Sequence, residues 1–133
     1  MFRKTSKPHN RIDCLIGATT RIEGNVLFAG GLRVDGTIRG NVCAQPGQSG
    51  TLVVSEQACI EGEVQAAHVV VNGTINGPLT ATETLELQAN SKVKGDVHYK
   101  SIEMHQGAVV EGRMVHDGDG EARNVELKLA AGG

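Results

Sequence analysis

The sequence predicts an all-β chain wound as a right-handed parallel β-helix. Three observations predict it: a degenerate repeat of about 17 residues, a core almost without aromatics, and frequent glycine. Only 2% of the 133 residues are aromatic, and there are 18 Gly against three Pro. The interior must therefore be Val, Ile, Leu and Ala, which suits short stacked strands. So much Gly and Val also weakens any all-helical alternative.

The repeat carries most of the argument. Six segments share the form apolar-x-Gly-x-apolar: IEGNV (22–26), IRGNV (38–42), IEGEV (60–64), INGPL (75–79), VKGDV (93–97) and VEGRM (110–114). Subtracting residue numbers, the leading residues lie 16, 22, 15, 18 and 17 positions apart. A second signature, apolar-x-apolar, follows each of the first five, at Leu32/Val34, Leu52/Val54, Val69/Val71, Leu85/Leu87 and Ile102/Met104. The two signatures keep phase over some 100 residues. The 22-residue step has a visible cause in AQPGQSG (44–50), a turn-rich insertion that leaves the stack at a corner.

Within the segments Glu23, Asn25, Arg39, Asn41, Glu61, Glu63, Lys94 and Asp96 alternate with the apolar positions, so one face is buried and one is wet. Each segment reads as one strand of about five residues, with its central Gly on the buried phase. About six rungs, each of three strands and three corners, give a triangular cross-section and equivalent aliphatics stacked in ladders. At ~4.8 Å per rung the body is on the order of 30 Å tall. Cys14-x-Ile16 reads as the last strand of an incomplete first rung.

Two rival folds compete. Asp35-Gly36 and Asn72-Gly73 are hairpin dipeptides and point to a β-meander. Equivalent junctions elsewhere are five-residue linkers, however, so corners of variable length are the simpler reading. Steps of six, as between Ile16 and Ile22, evoke the left-handed helix of hexapeptide acyltransferases, yet they alternate with steps of four and two.

Function classes narrow by exclusion. A net charge of −2 gives no field that selects nucleic acid, and the aromatics that stack on single strands are missing. Cys14, Cys43 and Cys59 form an odd set without CxxC spacing, which fits reduced thiols in the cytosol. No apolar run reaches the ~20 residues of a membrane span, and no apolar signal segment follows the basic start. His9, His68, His98, His105 and His116 are dispersed and read as solvated, with no metal cluster. Glu61/Glu63 lack an apolar pocket, and Ser55, Ser91 and Ser101 have no nucleophile-elbow setting. No P-loop and no GxGxxG is present. The expectation is no enzyme, no cofactor, no metal and no small-molecule substrate.

The segments IEGNVLFAGGLRVDGTIRGNV and ACIEGEVQAAHVVVNGTINGPL resemble the bactofilins, polymer-forming cytoskeletal proteins of bacteria. The resemblance covers about residues 14–116. It implies a triangular right-handed β-helix that joins end to end, like to like, into filaments without nucleotide. It further implies scaffolding of cell-wall or morphogenetic factors at the inner face of the cytoplasmic membrane. Membrane-binding members begin Met-Phe with basic residues close behind. Met1-Phe2-Arg3-Lys4-Thr5-Ser6-Lys7 matches that pattern.

The residues themselves make both properties plausible. A β-helix has open ends with unpaired amides and carbonyls that template further pairing unless capped. Residues 1–13 form no amphipathic cap, whereas 121–131 admits either a short helical cap or one more strand. The expected joining residues are Ile16, Ile22, Val26, Leu32 and Val34 at one end, and Ile102, Met104, Val110 and Met114 at the other. Arg3, Lys4, Lys7 and Arg11 precede the first acidic residue, Asp13. Each contributes ~1 kcal/mol near an anionic leaflet, and Phe2 adds a ring. The expected membrane-binding residues are therefore Phe2, Arg3, Lys4 and Lys7. The division is a disordered basic tail over 1–13, a β-helical domain over 14–116 and a flexible tail over 117–133. A non-polymerising adaptor and a hexapeptide-type acyltransferase are the competing functions.

Overall fold

The computed structural model describes residues 12–46 and 50–117, and these hold fifteen strands and no helix. Every strand pair is parallel. The strands stack into three faces. Face one holds β1 (Cys14–Ile16), β4 (Gly31–Val34), β7 (Thr51–Val54) and the later halves of β9 (Val64–Val71), β11 (Leu79–Leu87) and β13 (Val97–Met104). Face two holds β2 (Arg21–Glu23), β5 (Thr37–Arg39), β8 (Cys59–Glu61), β10 (Thr74–Asn76), β12 (Lys92–Lys94) and β14 (Val109–Glu111). Face three holds β3 (Val26–Phe28), β6 (Val42–Ala44), the earlier halves of β9, β11 and β13, and β15 (Met114–His116). The result is a parallel β-helix of about six turns.

Each face is anchored by an aliphatic ladder whose register matches the sequence repeat. On face two Ile22, Ile38, Ile60, Ile75, Val93 and Val110 stack in order. Val26, Val42, Val64, Leu79, Val97 and Met114 do so on face three. On face one Ile16, Val34, Val54, Val71, Leu87 and Met104 stack beside the parallel ladder of Leu32, Leu52, Val69, Leu85 and Ile102. Fully burying one such side chain contributes roughly 1.5–3 kcal/mol, so the ladders are the main source of stability.

The central glycines depart from the expectation of one five-residue strand per segment. In all six segments the chain turns at that Gly, so the residues before and after belong to different faces. Gly62 has φ +154° and Gly77 φ +153°, outside the comfortable range of any residue with a Cβ. Each Gly after Gly24 also packs against the carbonyl of the Gly one turn earlier; a Cβ on Gly77 would lie 2.2 Å from the Gly62 oxygen. The glycine is therefore a corner residue, required by backbone-on-backbone contact, and occupies no inward strand position. The same close approach explains VDGTI and VNGTI. A Cβ on Gly36 would meet the Thr20 carbonyl at 2.3 Å, and one on Gly73 the Ser55 carbonyl at 2.2 Å. Neither dipeptide makes a hairpin.

Polar side chains secure the glycine corner. Asn25 Oδ1 accepts from the Asn41 amide at 2.9 Å, and Asn41 Oδ1 accepts from the Glu63 amide at 3.0 Å. Two turns further on, Asp96 Oδ1 accepts from the Arg113 amide at 3.1 Å. The third corner flattens along the stack. It is a separate bend around Ala29 and Gly30, is widened by the insertion after Ala44, and then runs as continuous strand through β9, β11 and β13. Among the described residues β1, β2 and β3 make the first turn, stacked on β4, β5 and β6.

Candidate functional site

The two ends of the stack differ from its middle in one respect, the covering of the ladders. Ile38, Ile60, Ile75 and Val93 are 0% exposed, whereas Ile22 and Val110 at the two ends of the same ladder are only partly buried. Val26 and Met114 stand in the same relation to the buried Val42, Val64, Leu79 and Val97. Met104, which ends a ladder of fully buried Val34, Val54, Val71 and Leu87, is 48% exposed. Among the described residues β1, β2 and β3 each pair on one side only, as do β14, β15 and residues 101–104 of β13. Each end therefore presents aliphatic side chains together with unpaired backbone groups, the arrangement that accepts a further strand.

The nine residues expected to join copies divide by position. Ile16, Ile22 and Val26 lie on the first turn, and Ile102, Met104, Val110 and Met114 on the last. Leu32 and Val34 do not reach an end: they lie one turn in, beneath Cys14 and Ile16, at 1% and 0% exposure. Equal spacing along a repeat does not reveal which copy of it is outermost.

Other first- and last-turn residues escaped sequence reasoning because they fall on the outward phase. Leu15 and Leu27 are 59% and 63% exposed on the first turn, and Val109 is exposed on the last. The outward phase elsewhere carries Arg33, Glu103, Gln65 and His98, but also Val53 and Val70 in mid-stack, so the apolar residues alone did not mark the ends. Gly24 also belongs to this end. It is the first member of the glycine corner, with φ +140°, and nothing stands within 4 Å of where its Cβ would be. Phe2, Arg3, Lys4, Lys7 and the segment 121–131 lie outside the described residues.

The chain is matched over residues 14–115 by the profile of the bactofilin family, described as polymer-forming cytoskeletal. It belongs to the bactofilin family. Among curated relatives, bactofilin BacP of Myxococcus xanthus (strain DK1622) is 31% identical over 97 residues, covering 71% of this chain. The match spans only 40% of the length of BacP. Bactofilin BacO of the same organism is 24% identical over 115 residues, covering 86% of each protein. No solved structure matches. The family assignment agrees with the resemblance carried by VDGTI, VNGTI and the flanking glycine segments.

Among the described residues of this bactofilin the titratable groups sit on the outer surface and at corners. The Ser55 hydroxyl donates to the Asp35 carboxylate, and this bond, assisted by Arg33, holds Asp35 below the usual carboxylate range against a smaller opposing effect of burial. Burial pushes the Cys43 thiol up, helped by Glu63, and the Cys59 thiol likewise, helped by Glu61. Both remain protonated and are poor nucleophiles. Cys14, by contrast, is exposed on the first turn. A half-open groove of about 340 Å³ on face three is lined by Leu27, Cys43, Gln45, Pro46, Gln65 and Thr82, among others, and no carboxylate or imidazole lines it.

One cluster of possible donor atoms holds a single histidine, so the described histidines remain dispersed. Glu86, Glu103 and His105 bring one donor atom each within 4.8 Å of one another on face one. Scanning for HxxxH looks along the chain, whereas these donors converge across turns, with Glu86 and Glu103 in direct register on β11 and β13.

Proposed function

We propose that the chain is a cytoskeletal subunit that joins end to end, through its first and last turns and without nucleotide, into filaments. The single observation that supports this most is the contrast, in the ladders of faces two and three, between members that are 0% exposed inside the stack and members only partly buried at both ends. Stacking a second copy continues the ladders and pairs the open strand edges, so apolar burial and hydrogen bonding act together. The process needs no bound nucleotide, because the surfaces that join are present in the folded subunit.

In the same reading residues 1–13 hold the filament to the inner face of the cytoplasmic membrane through Phe2, Arg3, Lys4 and Lys7. A filament displays many such tails at once, and avidity turns weak single contacts into firm attachment. The filament then positions cell-wall or morphogenetic factors. The membrane arm is tested by co-sedimentation with anionic and with neutral liposomes. The wild type is expected to pellet with anionic vesicles, and a Phe2→Ala, Lys4→Ser variant to remain largely in the supernatant. Equal pelleting of the two would remove the tail from the account while leaving end-to-end assembly untouched.

A further inference from the structure

We propose that Glu86, Glu103 and His105 form a binding site for a divalent cation of the zinc class at the open edge of face one. Glu86 and Glu103 occupy directly paired positions on β11 and β13, both on the outward phase. Parallel register stacks their carboxylates one strand spacing apart, ~4.8 Å at the backbone, and like charges so placed repel each other. His105 follows β13 immediately. Its amide donates to the Leu87 carbonyl at 2.8 Å, and its carbonyl accepts from the Ala108 amide at 3.1 Å, so its backbone is fixed from both sides. The ring is thereby delivered between the two carboxylates: His105 Nε2 lies 3.2 Å from Glu86 Oε2 and 3.2 Å from Glu103 Oε2.

The two His105–glutamate separations are close to the edge of a coordination polyhedron, and all three donors lie within 4.8 Å of one another. Zinc bonds of about 2.0–2.1 Å in tetrahedral geometry place neighbouring donors roughly 3.3 Å apart. Glu86 is also steadied by Gln88, whose Nε2 donates to Glu86 Oε2 at 3.1 Å. Glu103 is the adjustable member, with a side chain 72% exposed, and can close onto the ion by rotation of its own torsions. Two carboxylates and one imidazole balance a double positive charge and leave further positions to water. Calcium and magnesium ask instead for six or more oxygens, or for an oxygen octahedron, so the imidazole favours zinc, with cobalt and nickel as probes.

The location gives the site a consequence. Residues 101–104 of β13 pair with β11 on one side and carry no strand on the other among the described residues. An ion held by Glu86 and Glu103 ties this last free strand to the turn beneath it, next to Ile102 and Met104 at the end of the stack.

The test is calorimetric titration of the full chain with zinc sulfate, followed by cobalt spectroscopy. One ion per chain is expected. His105→Ala and, independently, Glu86→Gln with Glu103→Gln should each weaken binding on the order of tenfold or more. Two controls should bind as the wild type does: His98→Ala, whose imidazole stands against Asp117 on face three, and Cys14→Ser, which removes the exposed thiol. Cobalt should bind without a thiolate charge-transfer band. Failure of the wild type to bind zinc would overturn the proposal, leaving His105 as a polar bridge between two glutamates. Full binding by His105→Ala, or loss of binding in Cys14→Ser, would overturn it equally.

Discussion

Gly62 rests directly on Gly40: a Cβ added to Gly62 would fall 2.2 Å from the Gly40 carbonyl oxygen. The same contact recurs from Gly40 onto Gly24 and from Gly112 onto Gly95, so one backbone column runs the length of the corner between faces two and three. It requires glycine twice over, through a positive φ and through the absence of a side chain. Gly24 stands apart because no turn precedes it among the described residues.

That difference yields the first prediction. Gly62→Ala should destabilise the subunit by at least about 2 kcal/mol, since backbone strain and a backbone clash act together. Gly24→Ala should cost about 1 kcal/mol or less, from strain alone. Thermal unfolding of both variants under conditions that keep the subunit monomeric compares them, and equal losses would mean the column is not what demands glycine.

At Gly24 a larger side chain has a second effect. Its Cβ would enter open space, and in the proposed end-to-end assembly that is the space of the joining copy. Gly24→Val should therefore fold, with circular dichroism close to the wild type, yet pellet poorly on ultracentrifugation. Normal pelleting would place the joint away from this corner.

The three cysteines should react in an order set by exposure and burial. Cys14 should be modified quickly by a maleimide, and Cys43 and Cys59 slowly, because burial keeps their thiols protonated. In assembled material Cys14 should become protected as its turn is covered. Mass spectrometry of labelled dispersed and pelleted protein reads both effects, and unchanged labelling of Cys14 in pellets would argue against its burial at a joint.

Asp35 predicts a modest acid sensitivity. Its folded pKa lies below the unfolded value of about 3.9, so its contribution to stability is present above that value and is lost as pH falls through the folded pKa. Ser55→Ala removes the largest cause, and the Asp35 titration midpoint should rise toward the ordinary range. Carboxylate NMR titration of wild type and variant measures this directly; an unmoved midpoint would show that the hydroxyl is not the controlling partner.

Much of this fold was legible in the sequence, for a reason specific to solenoids. Ile22, Ile38, Ile60 and Ile75 recur in phase, with one long step at the insertion 44–50, because each must land on the one before, so the repeat is itself the register. The glycine corner was not legible as a corner, since a period-2 pattern continues across it: Ile60 and Val64 both point inward although they belong to different faces. The merging of two strands into β9, β11 and β13 was hidden too, because 64–71 carries no breaker at which a bend could be expected or denied. Most end residues followed from the ladders, but Leu32 and Val34 needed the pairing of β1 above them to be seen as interior. The Glu86–Glu103–His105 cluster depends on register plus the turn after Met104, and neither alone brings the three together.

The central claim is that assembly lives in the first and last turns, and negative-stain electron microscopy tests it most directly. The wild type is expected to form long filaments without added nucleotide. Met114→Arg combined with Ile22→Arg should give dispersed particles with unchanged circular dichroism, while Asn76→Arg, on the exposed surface in mid-stack, should still give filaments. Long filaments from the doubly substituted chain, or none from the wild type, would contradict the account.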